Sequence, residues 1–404
     1  MNSPIRVALF AGTYLPGYKG GGPTISLSRI VETDSSADIR IITSDRDLGD
    51  TEPYEGIDPR SWHTVGRGLV AYLRPGFKDW LWVLRDLRAW QPDLVYINSL
   101  QSPWFALLPL IARRLRMTGT TNLLLAPRGE CSPGALNIKS PKKRLARPFI
   151  KMLIGSNVTW HASSNNEVSD IKQWWRQTQP ESHRLTVVLA NPAPTPLPAC
   201  SQGHAGDKTI VTFASRVDPM KGLDLLLLGL ASTTAAFELQ VFGVISDPKY
   251  WEKCLKLAES LPPSVSFRYA GEYQPEDAKD IFAQSDLFVL PTQGENFGHA
   301  IAEAMAAGCP TAISSHTIWT STAEAGGYIA DTPEEWRAAI EQFCSLAKDD
   351  RNAMRKRTWH AYKAWFVEHQ DSDSLFDDAQ LRLTDHFSKV PSKDTSTVVE
   401  LGQQ

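Results

Sequence analysis

The chain has 404 residues, with 42 Lys and Arg against 45 Asp and Glu and a formal charge of −3, a balance that gives no global case for nucleic acid. That length exceeds one ordinary core and suits two α/β units of about 200 residues each. The five cysteines, Cys131, Cys200, Cys254, Cys309 and Cys344, are odd in number and scattered without a C-x-x-C, which argues against a disulfide framework or structural zinc and fits a reducing cytosol.

In chain order, MNSPIRVALFAGTYLPG runs directly into a strand and lacks the basic start, long apolar middle and small-residue cleavage site of a signal peptide, so a cytoplasmic location is expected. Strands are predicted at 6–11, 39–43, 94–98, 123–126 and 158–162, with amphipathic stretches between most of them, the grammar of a doubly wound α/β unit. NPAPTPLPACSQGHAGDK at 191–208 carries four prolines and no periodicity and reads as a linker. The first unit is therefore set at 1–192, the linker at 193–208 and the second unit at 209–370. In the second, strands are predicted at 209–215, 238–242, 265–269, 287–290 and 311–313, then helices near 333–347, 350–368 and 374–388. The polar end, 389–404, reads as disordered. The longest apolar stretches, 103–112 and 223–231, fall short of the about 18 residues a membrane span needs.

Residues 286–314, DLFVLPTQGENFGHAIAEAMAAGCPTAIS, are the most informative stretch. They read as strand, loop, helix and strand: Pro291 breaks the apolar run, Gly298 permits close backbone approach, and Gly308 and Pro310 end the helix. A helix opening near Phe297 leaves its first amides facing the loop, which suits a phosphate or sugar oxygens. Glu295 stands at that mouth, and Glu303, a turn and a half further in, suits the vicinal hydroxyls of a ribose. TIVTFASRVDPMKGLDLLLLGL at 209–230 places Arg216 and Lys221 just past another strand. Ligands of open α/β sheets bind outside the carboxyl ends of strands, so both loops should line one crevice, with the two cations clamping a diphosphate without metal.

The string E-N-F-G-H-A-I-A-E-A-M-A-A-G-C-P resembles the E-x7-E signature of family 4 retaining glycosyltransferases of the GT-B fold, with Asn296 in place of the usual glycine. S-R-V-D-P-M-K-G resembles that family's S-R-x-x-x-x-K-G motif. The resemblance implies two Rossmann-like domains facing a central cleft, with helix 371–388 crossing back onto the first domain. It also implies a nucleoside-diphosphate sugar as donor and no metal cofactor. By resemblance, Glu295, Asn296, Phe297 and Gly298 engage donor sugar and phosphate, and Glu303 the ribose.

The first half adds GTYLPGYKGGGP, whose Gly20, Gly21 and Gly22 form a loop without side chains, able to bring amides to phosphate; family 4 enzymes carry a similar loop. No G-x-G-x-x-G is present to support dinucleotide binding. APRGECSPGALNIKSPKK resembles the P-R-G-x-x-S-P-x-A-L segment of a bacterial polysaccharide-assembling branch of the family. Where many members have a histidine at the end of this strand, the matching position is Arg128, assigned to phosphate or acceptor, with Glu130 close enough in sequence to pair with it. HASSNNE at 161–167 resembles the stretch that closes the family's first domain, and His161 suits a structural or a catalytic role equally. The basic run Lys139, Lys142, Lys143, Arg144, Arg147 and Lys151, with Leu145, Phe149, Met152 and Leu153 at helical spacing, suits an anionic membrane surface or an acceptor; alternatively its apolar side faces the core, bent at Pro148. The D-x-D strings Asp45 to Asp47 and Asp371 to Asp373 are read as incidental.

The expectation is a retaining glycosyltransferase of cell-surface polysaccharide biosynthesis, such as lipopolysaccharide O-antigen or exopolysaccharide, acting on a saccharide or lipid-linked hydroxyl and peripheral to the inner membrane face. Glu295, Arg216, Lys221 and Arg128 are its catalytic set. The alternatives are a nucleotide-sugar epimerase or hydrolase on the same fold, or a non-catalytic sugar-nucleotide-binding subunit.

Overall fold

Short aliphatic runs alternating with amphipathic helices build two separate sheets in the computed structural model. It describes residues 4–74, 76–120, 122–131, 140–155, 158–176, 186–188, 192–200, 203–204, 206, 208–369 and 375–376. The first sheet contains β1 Ile5–Phe10, β2 Ala37–Ser44, β3 His63–Val65, β4 Gly68–Leu73, β5 Leu94–Ile97, β6 Leu123–Leu125, β7 Thr159–Ala162 and β8 Thr186–Val188. Their order is β3-β4-β2-β1-β5-β6-β7-β8, parallel throughout except for the β3–β4 pair. The second contains β9 Ile210–Ala214, β10 Phe237–Phe242, β11 Val265–Gly271, β12 Leu287–Leu290, β13 Thr311–Ile313 and β14 Gly327–Ile329, all parallel in the order β11-β10-β9-β12-β13-β14. Helices cover both faces, so the central strands are buried on two sides and carry continuous apolar sequence such as LVYI in β5 and LFVL in β12. This is the expected pair of Rossmann-like units.

Most expected strands end within a residue or two of the observed ones, but β3, β4, β8 and β14 were not anticipated. β3 and β4 form a hairpin turning through Gly66, whose φ is 56°, in a stretch that reads as polar loop because only Val70 to Leu73 bury a full face. β14 and β8 have three residues each, too few for a period to emerge.

The expected linker is anchored rather than loose over its described part. Leu197 N bonds Ala306 O at 3.0 Å, Tyr362 Oη donates to Pro194 O at 2.7 Å, and Trp359 Nε1 donates to Leu197 O at 3.1 Å. All three contacts are to the second unit. The helix Lys348–His369 ends that unit. Of the expected crossover helix only Leu375 and Phe376 are described, and both are buried in the core of the first sheet with Val7, Leu9 and Tyr96. Asp371 to Asp373 and the segment 389–404 lie outside the described residues. All five cysteines are free thiols. Among the described residues, no helix is long and apolar enough to cross a membrane.

Candidate active site

The strand order reverses beside β1 in the first sheet and beside β9 in the second, and the loops leaving the carboxyl ends of β1, β6, β9 and β12 meet across one cleft of about 800 Å³. Every catalytic and donor residue assigned from sequence lines it except Gly20. A Cβ on Gly20 would collide with Thr13 and Thr24, so that glycine is needed for packing beneath the loop.

On the second unit's side, Asp218 caps the short turn Pro219–Lys221 through Met220 N at 2.9 Å. Gly222, at φ 71°, follows; a Cβ there would strike Pro291 O, so the Lys221 loop packs directly on the end of β12. Lys221 Nζ and Glu295 Oε1 form an ion pair whose side chains are 14% and 12% exposed. Arg216 is more open, 42% exposed, with Asp218 Oδ2 at 3.9 Å, and lies 3.8 Å from where a Gly21 Cβ would stand. Arg216 thus faces the glycine loop of the opposite unit.

The helix carrying the second glutamate is His299–Ala306, so it opens two residues later than expected. Gly298, left-handed at φ 80°, is its N-cap, and Phe297 is spent on packing: it is 1% exposed, stacks edge-on to Trp319 at 5.2 Å, and its carbonyl accepts from Trp319 Nε1. The first intrahelical bond is Ile301 N to Gly298 O at 3.0 Å, so the amides before it are oriented to the cleft end of the helix. Glu303 Oε1 accepts from Arg29 Nη2 at 3.1 Å, with the glutamate side chain 9% exposed. Burial pushes the Glu303 carboxyl up to about 7, and Arg29 opposes that rise. His299 bonds Ser26 Oγ at 2.6 Å and Arg29 Nη1 at 3.2 Å, and burial, Arg29 and Arg128 hold it well below the ordinary histidine range.

On the first unit's side, the helix Gly22–Thr33 starts at Gly21, left-handed at φ 65° with Pro23 in its first turn, and aims a second N-terminus at the cleft. Asp47 holds the loop: its Oδ2 accepts from Tyr18 N at 2.8 Å and Lys19 N at 3.1 Å. Its neighbour Asp45 pairs with Arg46. Tyr18 Oη reaches across to Glu272 at 2.8 Å. Arg128, at φ 53°, donates from Nε to Asn98 Oδ1 at 2.6 Å and from Nη2 to Tyr96 Oη at 2.8 Å. The other side of that tyrosine meets His161 Nδ1 at 2.9 Å; His161 is 1% exposed and outside the cleft, which gives it a supporting place. Glu130 accepts from Ser99 Oγ at 3.0 Å and Leu100 N at 2.8 Å. Glu167, in the first turn of the helix Asn165–Arg176, takes Gly129 N at 2.7 Å and Ser163 N at 2.8 Å and so fixes the Arg128 turn. Gly129 faces Asn296, whose Nδ2 lies 3.5 Å from a Cβ built there.

The basic run forms the helix Ser140–Ile154. Arg147 is turned inward, donating to Trp174 O with its guanidinium 5.1 Å from the Trp174 ring, and Lys151, 8% exposed, donates to Trp175 O at 3.2 Å. Of the residues expected at a membrane or acceptor, Arg147 thus packs its guanidinium against Trp174. Phe149 and Met152 on the same helix are 46% and 57% exposed. The side chains of Lys142, Lys143 and Arg144 lie outside the described residues.

Sequence reading missed Ser26, Arg29, Asp47, Glu167 and His299. His299 was the findable one, since it sits inside the motif string directly after Gly298. Arg29 carries no local signal, and its partner is 274 positions away.

Residues 200–360 match the family model described as glycosyl transferases group 1. The D-inositol 3-phosphate glycosyltransferase of Rhodococcus opacus strain B4 is 28% identical over 150 residues, 34% of this chain and 33% of the relative, so the match spans about a third of that enzyme's length. The GDP-mannose-dependent alpha-mannosyltransferase of Corynebacterium glutamicum is 26% identical over 322 residues, 76% of this chain and 72% of its own. Among solved structures, HepE of Anabaena in complex with UDP and glucose superposes with a TM-score of 0.64 at 16% identity, over 96% of this chain and 100% of that one, a likeness of fold. The half of the cleft that carries Arg216, Lys221, Glu295 and Glu303 is thus a group 1 glycosyl transferase region, set in a GT-B fold.

Proposed function

We propose that this protein is a hexosyltransferase that moves a sugar from a nucleoside diphosphate to a hydroxyl acceptor with retention of anomeric configuration. The observation that carries the reading is the grouping of Arg216, the Lys221–Glu295 pair and two helix N-termini around one cleft, with a buried carboxylate, Glu303, at its back. Two relatives with names in this class, and a structural neighbour solved with UDP and glucose, support it.

In this reading the ribose donates to Glu303, and the diphosphate lies against Arg216, Lys221 and the amides ahead of His299. The sugar hydroxyls meet Glu295. As the bond from the anomeric carbon to the diphosphate oxygen breaks, the cations and helix ends take up the charge that develops there. The acceptor oxygen bonds the same face of the anomeric carbon, and its proton passes to a diphosphate oxygen. Arg128 and the glycine loop form the wall on the acceptor side. A saccharide or lipid-linked acceptor in surface polysaccharide assembly suits the P-R-G-E-C-S-P segment and the exposed Phe149 and Met152, with the protein peripheral to an anionic membrane.

Donor consumption measured with and without acceptor separates transfer from hydrolysis or epimerisation. Arg216→Ala and Lys221→Ala should each slow transfer by roughly 10² to 10³, the size expected when one preorganised charge-stabilising donor is lost. EDTA should leave the rate unchanged. Silence after chelation with rescue by manganese would overturn the metal-free mechanism, and an inverted anomeric signal in the product would overturn retention.

A further inference from the structure

Glu303 belongs to the second unit, but its counter-ion does not. Arg29 projects from the helix Gly22–Thr33 of the first unit, and its Nη2 donates to Glu303 Oε1 at 3.1 Å while Nη1 donates to Pro192 O at 3.2 Å and His299 Nδ1 at 3.2 Å. A guanidinium only donates, so His299 Nδ1 must accept and the ring proton must sit on Nε2. Nε2 then donates to Ser26 Oγ at 2.6 Å, and the Ser26 hydroxyl in turn donates a hydrogen bond to Gly22 O at 2.9 Å. The chain closes only with His299 neutral, since a second ring proton would point at the guanidinium. Every group in it is committed except one: Glu303 Oε2 has no hydrogen-bond donor among the described residues, and Glu303 lines the cleft.

We propose that Arg29 is a positioning residue for the donor nucleotide, holding the Glu303 carboxylate ionised and aimed so that ribose recognition by the second unit depends on its closure against the first. This rests on the reading of Glu303 as the ribose ligand. Even beside Arg29 a carboxylate this buried takes up a proton near neutrality; without that cation it would do so at higher pH and, at neutrality, largely lose the form that best accepts two ribose hydroxyls. His299 and Ser26 fix the guanidinium, so the device spans both units. The titratable and charged groups that face the pair are Arg29, His299 on the same helix, Arg128 toward His299, Tyr273 past β11, and Tyr362 on the helix Lys348–His369. Burial raises both tyrosines far above their ordinary range, so neither titrates near neutrality.

The test is calorimetric binding of UDP, GDP and ADP between pH 5.5 and 9 to the full chain, to Arg29→Gln, Arg29→Lys and Glu303→Gln, each checked for folding by circular dichroism. Titration of the ligand's own phosphates is common to all four proteins and cancels in the comparison. In the wild type the tightest of the three should lose affinity as pH falls through about 7. In Arg29→Gln that midpoint should move up by about one pH unit, with affinity down about fivefold at pH 7 and recovering at pH 9. Arg29→Lys should keep the midpoint near the wild type. An Arg29→Gln midpoint equal to the wild type, with Glu303→Gln binding weakened, would overturn the inference alone. Glu303→Gln binding as tightly as the wild type, or no binding of any of the three nucleotides, would remove the ribose reading and the inference with it. If Arg29→Gln does not fold, Arg29→Lys decides, because an unchanged profile there is required.

Discussion

At the scale of residues, the cleft holds two carboxylates kept out of water by different means. Glu295 is neutralised within its own unit by Lys221, each side chain about one-eighth exposed, so the pair is locally self-sufficient, and the proposed donor would divide it, phosphate beside the lysine and sugar hydroxyls beside the glutamate. Glu303 is drier and depends on Arg29 from the other unit. Its raised folded-state value, about 7 against an ordinary 4.5, has a stability consequence with a definite sign. A carboxyl more basic in the folded chain contributes stability that is complete below pH 4.5 and is lost as pH rises through about 7. The gap corresponds to roughly 3 kcal/mol at most. Glu303→Gln does not titrate, so in the absence of ligand the wild type should gain stability relative to the variant as pH falls from 8 to 5. Urea unfolding at the two pH values measures this; a difference between the two proteins that does not change with pH would contradict it.

At the scale of elements, the boundary of the second glutamate's helix shows what local pattern reveals and what it hides. The strand, loop, helix and strand of 286–314 were legible because their determinants, Pro291, Gly298, Gly308 and Pro310, lie within the segment. The start of the helix was not. Phe297 looks like a first apolar helical position, but Trp319 and Trp365 in later elements claim its ring, and Gly298 then turns left-handed to begin the helix at His299. A β-carbon at Gly298 would have to adopt φ 80° and lie 3.0 Å from Ile301 Cδ1 and 3.4 Å from Trp319 Cδ1. Gly298→Ala should therefore cost about 1–2 kcal/mol of stability and shift the amides that precede Ile301. Nucleotide affinity should fall more than the stability loss alone accounts for at temperatures where the variant is fully folded. Calorimetry at 15 °C alongside urea unfolding separates the two, and an unchanged affinity would detach the helix N-terminus from donor binding. Asp47 carries the same lesson in reverse: as part of a D-x-D string it read as incidental, yet it holds Tyr18 N and Lys19 N, 29 and 28 positions earlier.

At the scale of the whole molecule, alternation of strands and helices suffices to read two α/β units, because each unit's core is built from runs adjacent in sequence. The contacts between units are not legible that way. Ser26 with His299, Arg29 with Glu303 and Tyr18 with Glu272 join residues more than 250 positions apart, and no periodicity encodes them. The basic helix shows the same limit: six cations in thirteen positions read as a charged surface, but Arg147 and Lys151 are drawn in by Trp174 and Trp175, which follow by more than twenty residues. The proposed membrane-docking role for this helix consequently rests, in sequence, on Lys142, Lys143 and Arg144, with the exposed Phe149 and Met152, and not on the whole run. Each cation near an anionic surface is worth on the order of 1 kcal/mol, so Lys142→Gln, Lys143→Gln and Arg144→Gln together should release the protein from phosphatidylglycerol vesicles in a sedimentation assay, an effect that high salt reproduces by screening. Phe149→Ser with Met152→Ser should weaken the residual, salt-resistant part of the binding. Arg147→Gln should act differently, lowering the unfolding temperature, because it leaves Trp174 O without its donor and removes the cation over the indole. Sedimentation unchanged by the triple substitution and by salt would dismiss the membrane from this face and leave the soluble part of the acceptor to be sought between Arg128 and the glycine loop.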